Sequence, residues 1–456
     1  MRFCRVLFLV PALIALSFGQ EPKTIAYPTT RAGKQVEAYV KAFNAGETTM
    51  REYLTGSVSK EDLQKLSLDE RMNRYLQMHG RLGNLELRKV TESTDDRLSG
   101  LFHGSNGNFV DMTFMFQKSA PYGLLGIRVE DAGRGEEKVS HEPKKNNAEL
   151  IDAVQKYATG LEQEDKFSGV VLIAENNKPV FQKAYGYADR EKKIPNTIET
   201  RFNIGSINKS FTHLAIDQLE AAGKLSYSDP IGKFLPDYPN KEAAEKVTVR
   251  ELLDMTSGIG DFFGERYQTT PKQKLRTLEA YLPLFADKPL EFPPGSKWRY
   301  SNGGFVVLGL IVQKASGMDY YDYVWKHIFE PAGMTRTGSF EKDSLPADCA
   351  RGYTRNGDSW KSNYETLPER GSSAGGGYST VHDLLKYTIA LGRGTITAKG
   401  VKEQAGMGIA GGAPGLNAAL DWSPRSGYTV IVMSNFDPPT AMAMARQINA
   451  WLPAAD

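Results

Sequence analysis

Residues Asp131 to Asn147 read DAGRGEEKVSHEPKKNN, a charged stretch with Gly and Pro and almost no apolar side chains. Such a segment has nothing to bury, so a core cannot run continuously through it. It reads as a linker, residues 132–147, between a part of residues 20–131 and a larger part of residues 148–456. The length of 456 residues also favours two or three domains over one. With 40% hydrophobic and 24% charged residues, the composition is that of an ordinary globular protein with enough apolar material for separate cores.

The first 19 residues read as a signal peptide. Arg2 and Arg5 give a basic start, Val6 to Phe18 is apolar, and Ser17-Phe18-Gly19 places small residues before Gln20. A spanning helix needs roughly 20 apolar residues. This run is shorter and holds Pro11, so cleavage is the better reading than a retained anchor. The expectation is an exported protein, periplasmic or extracellular, with no membrane span in the mature chain. Of the two cysteines, Cys4 falls in the signal and leaves Cys349 alone. That excludes an intramolecular disulfide and argues against a cysteine metal cluster. The six histidines show no ligand spacing such as HExxH, so no metal is expected. A net charge of +2 gives no bulk electrostatic case for nucleic acid.

Within residues 20–131, Val36, Tyr39, Val40 and Phe43 recur at helical spacing, with Gly46 as a stop. A second helix is predicted over Leu68 to Met78, with Leu68, Met72, Tyr75 and Leu76 on one face. Val110, Met112, Phe114 and Phe116 alternate as a half-buried strand requires. Helices followed by an antiparallel run imply a small α+β unit, a cone-shaped sheet wrapped on helices, similar in outline to the NTF2-like fold. Beyond the linker, Leu150, Val154, Tyr157, Ala158 and Leu161 mark an amphipathic helix. Phe167–Glu175 and Lys178–Tyr187 read as a hairpin around Asn176-Asn177, and Leu416–Leu420 with Tyr428–Met433 as another. Met444, Ile448 and Trp451 lie on a final helix. Strands at both ends with helices between imply one sheet closed by the N- and C-terminal segments.

Ser206-Ile207-Asn208-Lys209 carries the first chemical signal. Serine and lysine three apart on a helix share a face. Lysine can take the serine proton if burial or nearby cations lower its pKa, and a helix start offers N–H groups to developing negative charge. Ser57-Val58-Ser59-Lys60 has the same spacing but lies in a polar stretch that reads as a solvated turn. Ser206 instead follows the strand-like Arg201–Gly205 and precedes Phe211, Leu214, Ala215 and Leu219. The second signal is Tyr300-Ser301-Asn302, after Pro293-Pro294-Gly295 and before the apolar helix Phe305–Val312. A tyrosinate serves as a base if Lys209 holds its pKa down. The Asn302 amide can reach both the lysine and a substrate carbonyl. Tyr238-Pro239-Asn240 is a decoy that reads as a turn.

Together, Ser206-xx-Lys209, Tyr300-Ser301-Asn302, Leu252-Leu253-Asp254-Met255-Thr256-Ser257-Gly258, Pro294-Gly295 and Gly375-Gly376-Gly377-Tyr378-Ser379 before Asp383-Leu384 are several ordered matches. From about Phe167 to Trp451 the chain resembles the serine β-lactamase and penicillin-binding-protein superfamily, nearest the class C β-lactamase, D-Ala-D-Ala carboxypeptidase and esterase branch. The resemblance implies an α+β fold, an antiparallel sheet with a helical lobe and the site between them. It implies an acyl-enzyme on Ser206, no cofactor, and a small ester, amide or peptide substrate.

One position departs from that pattern. The family carries Lys-Thr-Gly or His-x-Gly on the strand facing the serine, and here the segment is Gly408-Ile409-Ala410-Gly411-Gly412-Ala413. Ile409 takes the place of the cation or imidazole, Gly411 and Gly412 line the substrate side, and the Gly412 amide would join that of Ser206 as an oxyanion hole. The alternative reading of Gly408–Gly415 is a tight strand edge. The departure also leaves open an inactive relative that binds cell-wall peptide or a protein partner.

Overall fold

The computed structural model describes residues 25–59, 62–63, 68–105, 109–120, 122–131, 142–356, 359–397 and 406–453. The signal-peptide reading, Cys4, Lys60 and most of the linker lie outside these residues. The chain divides into two compact units, Met1–Glu137 and Lys138–Asp456. Among the described residues, no helix is long and apolar enough to cross a membrane.

The first unit opens with α1 (Arg31–Ala45), α2 (Glu47–Ser57) and α3 (Leu68–Leu82), then an antiparallel sheet β1 (Leu85–Ser93), β2 (Arg97–Gly104), β3 (Phe109–Phe116) and β4 (Leu124–Asp131) in sequential order. Val36, Tyr39, Val40 and Phe43 are buried on α1, and Gly46 ends it at φ 106°, a conformation that favours glycine. Val110, Met112, Phe114 and Phe116 all face the core, as their alternation requires. Two expectations change. Leu76 points outward, because Met72 and Tyr75 already fill the buried stripe of α3. Ser57 closes helix α2 instead of forming a solvated turn; α2 buries only Met50 and Leu54, too few apolar residues to announce a helix.

The second unit is built on a five-stranded antiparallel sheet of mixed provenance. Helix α4 (Asn147–Gln163) leads into β5 (Gly169–Glu175) and β6 (Lys178–Tyr185). The remaining strands come from the far end of the chain: β7 (Met407–Ala413), β8 (Leu416–Trp422) and β9 (Tyr428–Ser434). Their order is β7-β8-β9-β5-β6, so the N-terminal hairpin pairs with the C-terminal one through β9 and β5. Asn176 and Asn177 turn the first hairpin at φ 50° and 67°, as a two-residue loop of this hand requires. Gly186, φ 65°, ends β6 before Tyr187, so the long strand expected there is two.

The central strands read GVVLIAE and YTVIVMS because both faces of the sheet are covered. Val171, Ile173, Val430 and Val432 pack with Leu150, Val154 and Ala158 of α4 and with Met444, Ile448 and Trp451 of the final helix (Thr440–Trp451). Val170, Leu172, Ile431 and Met433 face the other way, into a helical lobe inserted between β6 and β7. Its principal helices are α5 (Asn208–Ala221), α6 (Asn302–Ser316) and α7 (Val381–Arg393). The unit is therefore an α+β fold with an antiparallel sheet and a helical lobe.

Candidate active site

The chain enters the lobe through a sharp turn. Phe202–Asn203 pairs antiparallel with Tyr378–Ser379, and Gly205 follows at φ 49°. Residues Gly205–Ile207 form a 3₁₀ turn that runs into α5. Ser206 thus sits just ahead of the helix, and Lys209 lies on its first turn. The turn presses against the edge strand β7. A Cβ on Gly205 would sit 2.9 Å from the Gly412 nitrogen, and one on Gly411 would sit 2.0 Å from the Ile204 carbonyl oxygen and 2.7 Å from the Ser206 nitrogen. Both glycines are required by this approach of backbone to backbone. Gly412 is constrained from the opposite side, where a Cβ would lie 2.7 Å from Pro438. The Gly408–Gly415 run is both a strand edge and the wall facing Ser206.

Two side chains reach the serine. Tyr300 comes from an extended segment ahead of α6, and its hydroxyl donates to Ser206 Oγ at 2.6 Å. Lys209 Nζ lies 3.3 Å from Ser206 Oγ, 2.7 Å from Asn302 Oδ1 and 2.5 Å from the Ala374 carbonyl. An ammonium has three N–H donors for these three acceptors. A neutral amine keeps two donors for Asn302 and Ala374 and turns its lone pair to Ser206.

Lys209 is buried, and burial lowers its pKa to about 7, against an opposing pull from the Asp261 carboxylate. Tyr300 behaves otherwise than expected. Lys209 does lie 4.7 Å from the centre of its ring. Yet burial raises the phenol pKa, the Ser206 hydrogen bond lowers it only in part, and Asp261 raises it further. The lysine, not the tyrosine, is the group whose pKa is moved toward neutral pH, and the phenol stays protonated.

The Tyr300 segment is held by the Leu252–Gly258 motif. Arg299 N donates to the Met255 carbonyl at 2.8 Å, and Gly295 N to that of Thr256 at 2.8 Å. Ser301 caps α6 through Gly304 N at 2.8 Å and donates to the Gly260 carbonyl at 3.1 Å. Asn302 Nδ2 donates to Asp261 Oδ2 at 2.6 Å, so only its second N–H is left for a substrate. Asp261 and the Ala374 carbonyl were not among the expected site groups. No spacing links them to Ser206, and a backbone carbonyl leaves no residue-type signal.

The decoys stand apart. Tyr238 is buried in the lobe core and Asn240 caps the short helix Lys241–Lys246. Ile409 is half-buried on β7 and packs against the lobe core. Burial pushes the Cys349 thiol up to about 12, which leaves little thiolate at neutral pH.

Residues 153–422 match the family model described as Beta-lactamase. Putative penicillin-binding protein PbpX of Bacillus subtilis is 32% identical over 306 residues, 62% of this chain and 74% of that protein. Penicillin-binding protein 4* of the same organism is 31% identical over 259 residues, which cover 54% of this chain and 56% of that one. A solved penicillin binding protein from Bacillus halodurans superposes with a TM-score of 0.57 at 35% identity, covering 64% of this chain and 97% of that chain. The sheet closed by both ends of its unit, the lobe and these matches agree: the chain belongs to the β-lactamase and penicillin-binding-protein family of serine hydrolases.

Proposed function

We propose that this protein is an exported serine hydrolase that cleaves an ester or amide bond through an acyl-enzyme on Ser206. The observation that carries the reading is the contact of Ser206 Oγ with both Tyr300 Oη at 2.6 Å and Lys209 Nζ at 3.3 Å. In its amine form Lys209 takes the Ser206 proton as Oγ attacks the substrate carbonyl. The amides of Ser206 and Gly412 hold the resulting oxyanion. The C–O or C–N bond then breaks, and Tyr300 gives its proton to the leaving group and recovers one from Lys209. Water attacks the acyl-enzyme by the same route in reverse and releases the acid. No step calls for a cofactor.

The substrate class follows from Ile409. β-Lactams and peptides ending in free D-alanine carry a carboxylate near the scissile bond, and isoleucine offers neither charge nor donor. Neutral esters and amides lose nothing there. We therefore read the chain as an esterase or a peptidase/amidase and a poor β-lactamase, exported on the reading of its first 19 residues to the periplasm or outside the cell. The placement in the class C branch, and the NTF2-like reading of residues 20–131, rest on the motifs and strand pattern.

The test is covalent labelling with a fluorophosphonate. Wild type should be labelled on Ser206, and Ser206→Ala should not be labelled. Label on another serine would overturn the assignment, and no labelling or turnover of any ester, amide or peptide would favour an inactive binding protein.

A further inference from the structure

We propose that Asp261 is a positioning residue for the reaction: its carboxylate fixes which way the Asn302 amide faces, and so seats Lys209 beside Ser206. This deepens the proposed function and rests on Ser206 as nucleophile and Lys209 as its base.

Asn302 stands between an acceptor and a donor. A carboxylate only accepts hydrogen bonds and a lysine ammonium only donates them. With Nδ2 on Asp261 at 2.6 Å and Oδ1 on Lys209 at 2.7 Å, the amide has one satisfactory orientation. Turned over, it would set oxygen against carboxylate and N–H against ammonium. Asp261 is itself fixed. Its Oδ1 accepts from Phe263 N at 2.9 Å, and the preceding Gly260 carbonyl accepts from Ser301 Oγ at 3.1 Å. The loop cannot withdraw without losing the hydrogen bond from Ser301 Oγ to the Gly260 carbonyl. Its approach is close enough that a Cβ on Gly303 would lie 2.4 Å from the Gly260 oxygen.

The carboxylate also acts at a distance. Among the described residues, the titratable groups facing Lys209 are Asp261 and Tyr300; Ser206, Asn302, Phe305 and the Ala374 carbonyl complete its surroundings without charge. Burial drives Lys209 toward the amine, and Asp261 holds it back toward the ammonium.

The experiment measures kcat, KM and the pH profile of the full chain on a short-chain aryl ester. Asp261→Asn should lower kcat by about 10- to 150-fold, the range for a charge-assisted hydrogen bond, with KM little changed. Its acid limb should move to lower pH, because the anion that favours the ammonium is gone. Asp261→Glu keeps the charge but displaces the carboxylate, so kcat should fall while the limb stays in place. If Asp261→Asn does not fold, the Glu variant carries the test. In an Asn302→Ala background, Asp261→Asn should lose most of its effect on kcat but keep its effect on the limb. Wild-type kcat and an unmoved limb in Asp261→Asn would overturn the proposal, as would losses that add in full. Activity surviving in Ser206→Ala would bring down the nucleophile assignment, and this proposal with it.

Discussion

Protonation decides what Ser206 can do. With Lys209 at a pKa of about 7 and the Tyr300 phenol raised, the two groups are in the state the proposed reaction needs just above neutrality: amine and protonated phenol. Because the amine is the active form, kcat/KM should rise with pH through a midpoint near 7 and then level off. The alkaline limb, where the phenol is lost, should lie above the ordinary tyrosine range of about 10. A limb centred near pH 5 would assign the base to another group. Tyr300→Phe and Lys209→Ala should each cost about 10²–10⁴-fold in kcat, and the double variant little more, since the two act as one proton relay. Ile409→His, on the strand wall, should move the preference toward carboxylate-bearing substrates by about 10- to 150-fold, the value of a charge-assisted hydrogen bond. Efficient cephalosporin hydrolysis by the wild type would refute the inference from Ile409. Spacing read together with the flanking sequence singled out Ser206, Lys209 and Tyr300. It missed Asp261 because its contact with Asn302 joins a loop to the start of α6, 41 residues further along the chain. It mistook the state of Tyr300 because desolvation depends on burial, which a motif does not record.

At the scale of elements, what the sequence discloses depends on whether a segment's periodicity comes from its own burial. The strands β5 and β9 and the helices α1 and α4 are legible because each buries a regular set of apolar side chains. The Asn176-Asn177 hairpin is legible because its turn needs left-handed residues. β7 is harder to read: Gly408, Gly411 and Gly412 have no side chains to alternate, and the last two make room for neighbouring backbone and Pro438. That close approach has a cost when disturbed. Gly411→Ala should destabilise the unit by about 1–3 kcal/mol, the usual range for overpacking, and should slow fluorophosphonate labelling because Ser206 N lies in the path of the added methyl. Gly56→Ala is the control: nothing lies within 4 Å of its added Cβ, so both stability and labelling should hold. A Gly411→Ala variant that melts and labels like wild type would show that β7 yields easily and does not hold the site's geometry.

For the whole molecule, the question is whether the chemistry needs the first unit. Ser206, Lys209, Asp261, Tyr300, Asn302, Ala374 and Gly412 all fall in Lys138–Asp456, and the hydrogen bonds among the side chains at the site stay within it. The start of that unit is tied down further upstream than residue 148. Lys144 N donates to the Trp451 carbonyl at 2.9 Å, and Asn146 caps α4 by accepting from Glu149 N at 3.0 Å. A chain beginning at Glu142 keeps both contacts and should retain kcat/KM on a small aryl ester. One beginning at Ala148 loses the cap and should be less stable by about 1 kcal/mol, with its catalytic constants unchanged. The sequence DAGRGEEKVSHEPKKNN offers basic residues in a stretch poor in apolar side chains, so limited trypsin treatment should cut there first and release an active C-terminal fragment. If the Glu142 chain folds, as judged by its melting transition, yet no longer hydrolyses the ester, then the first unit supplies something to the reaction and the separation of roles argued here is wrong.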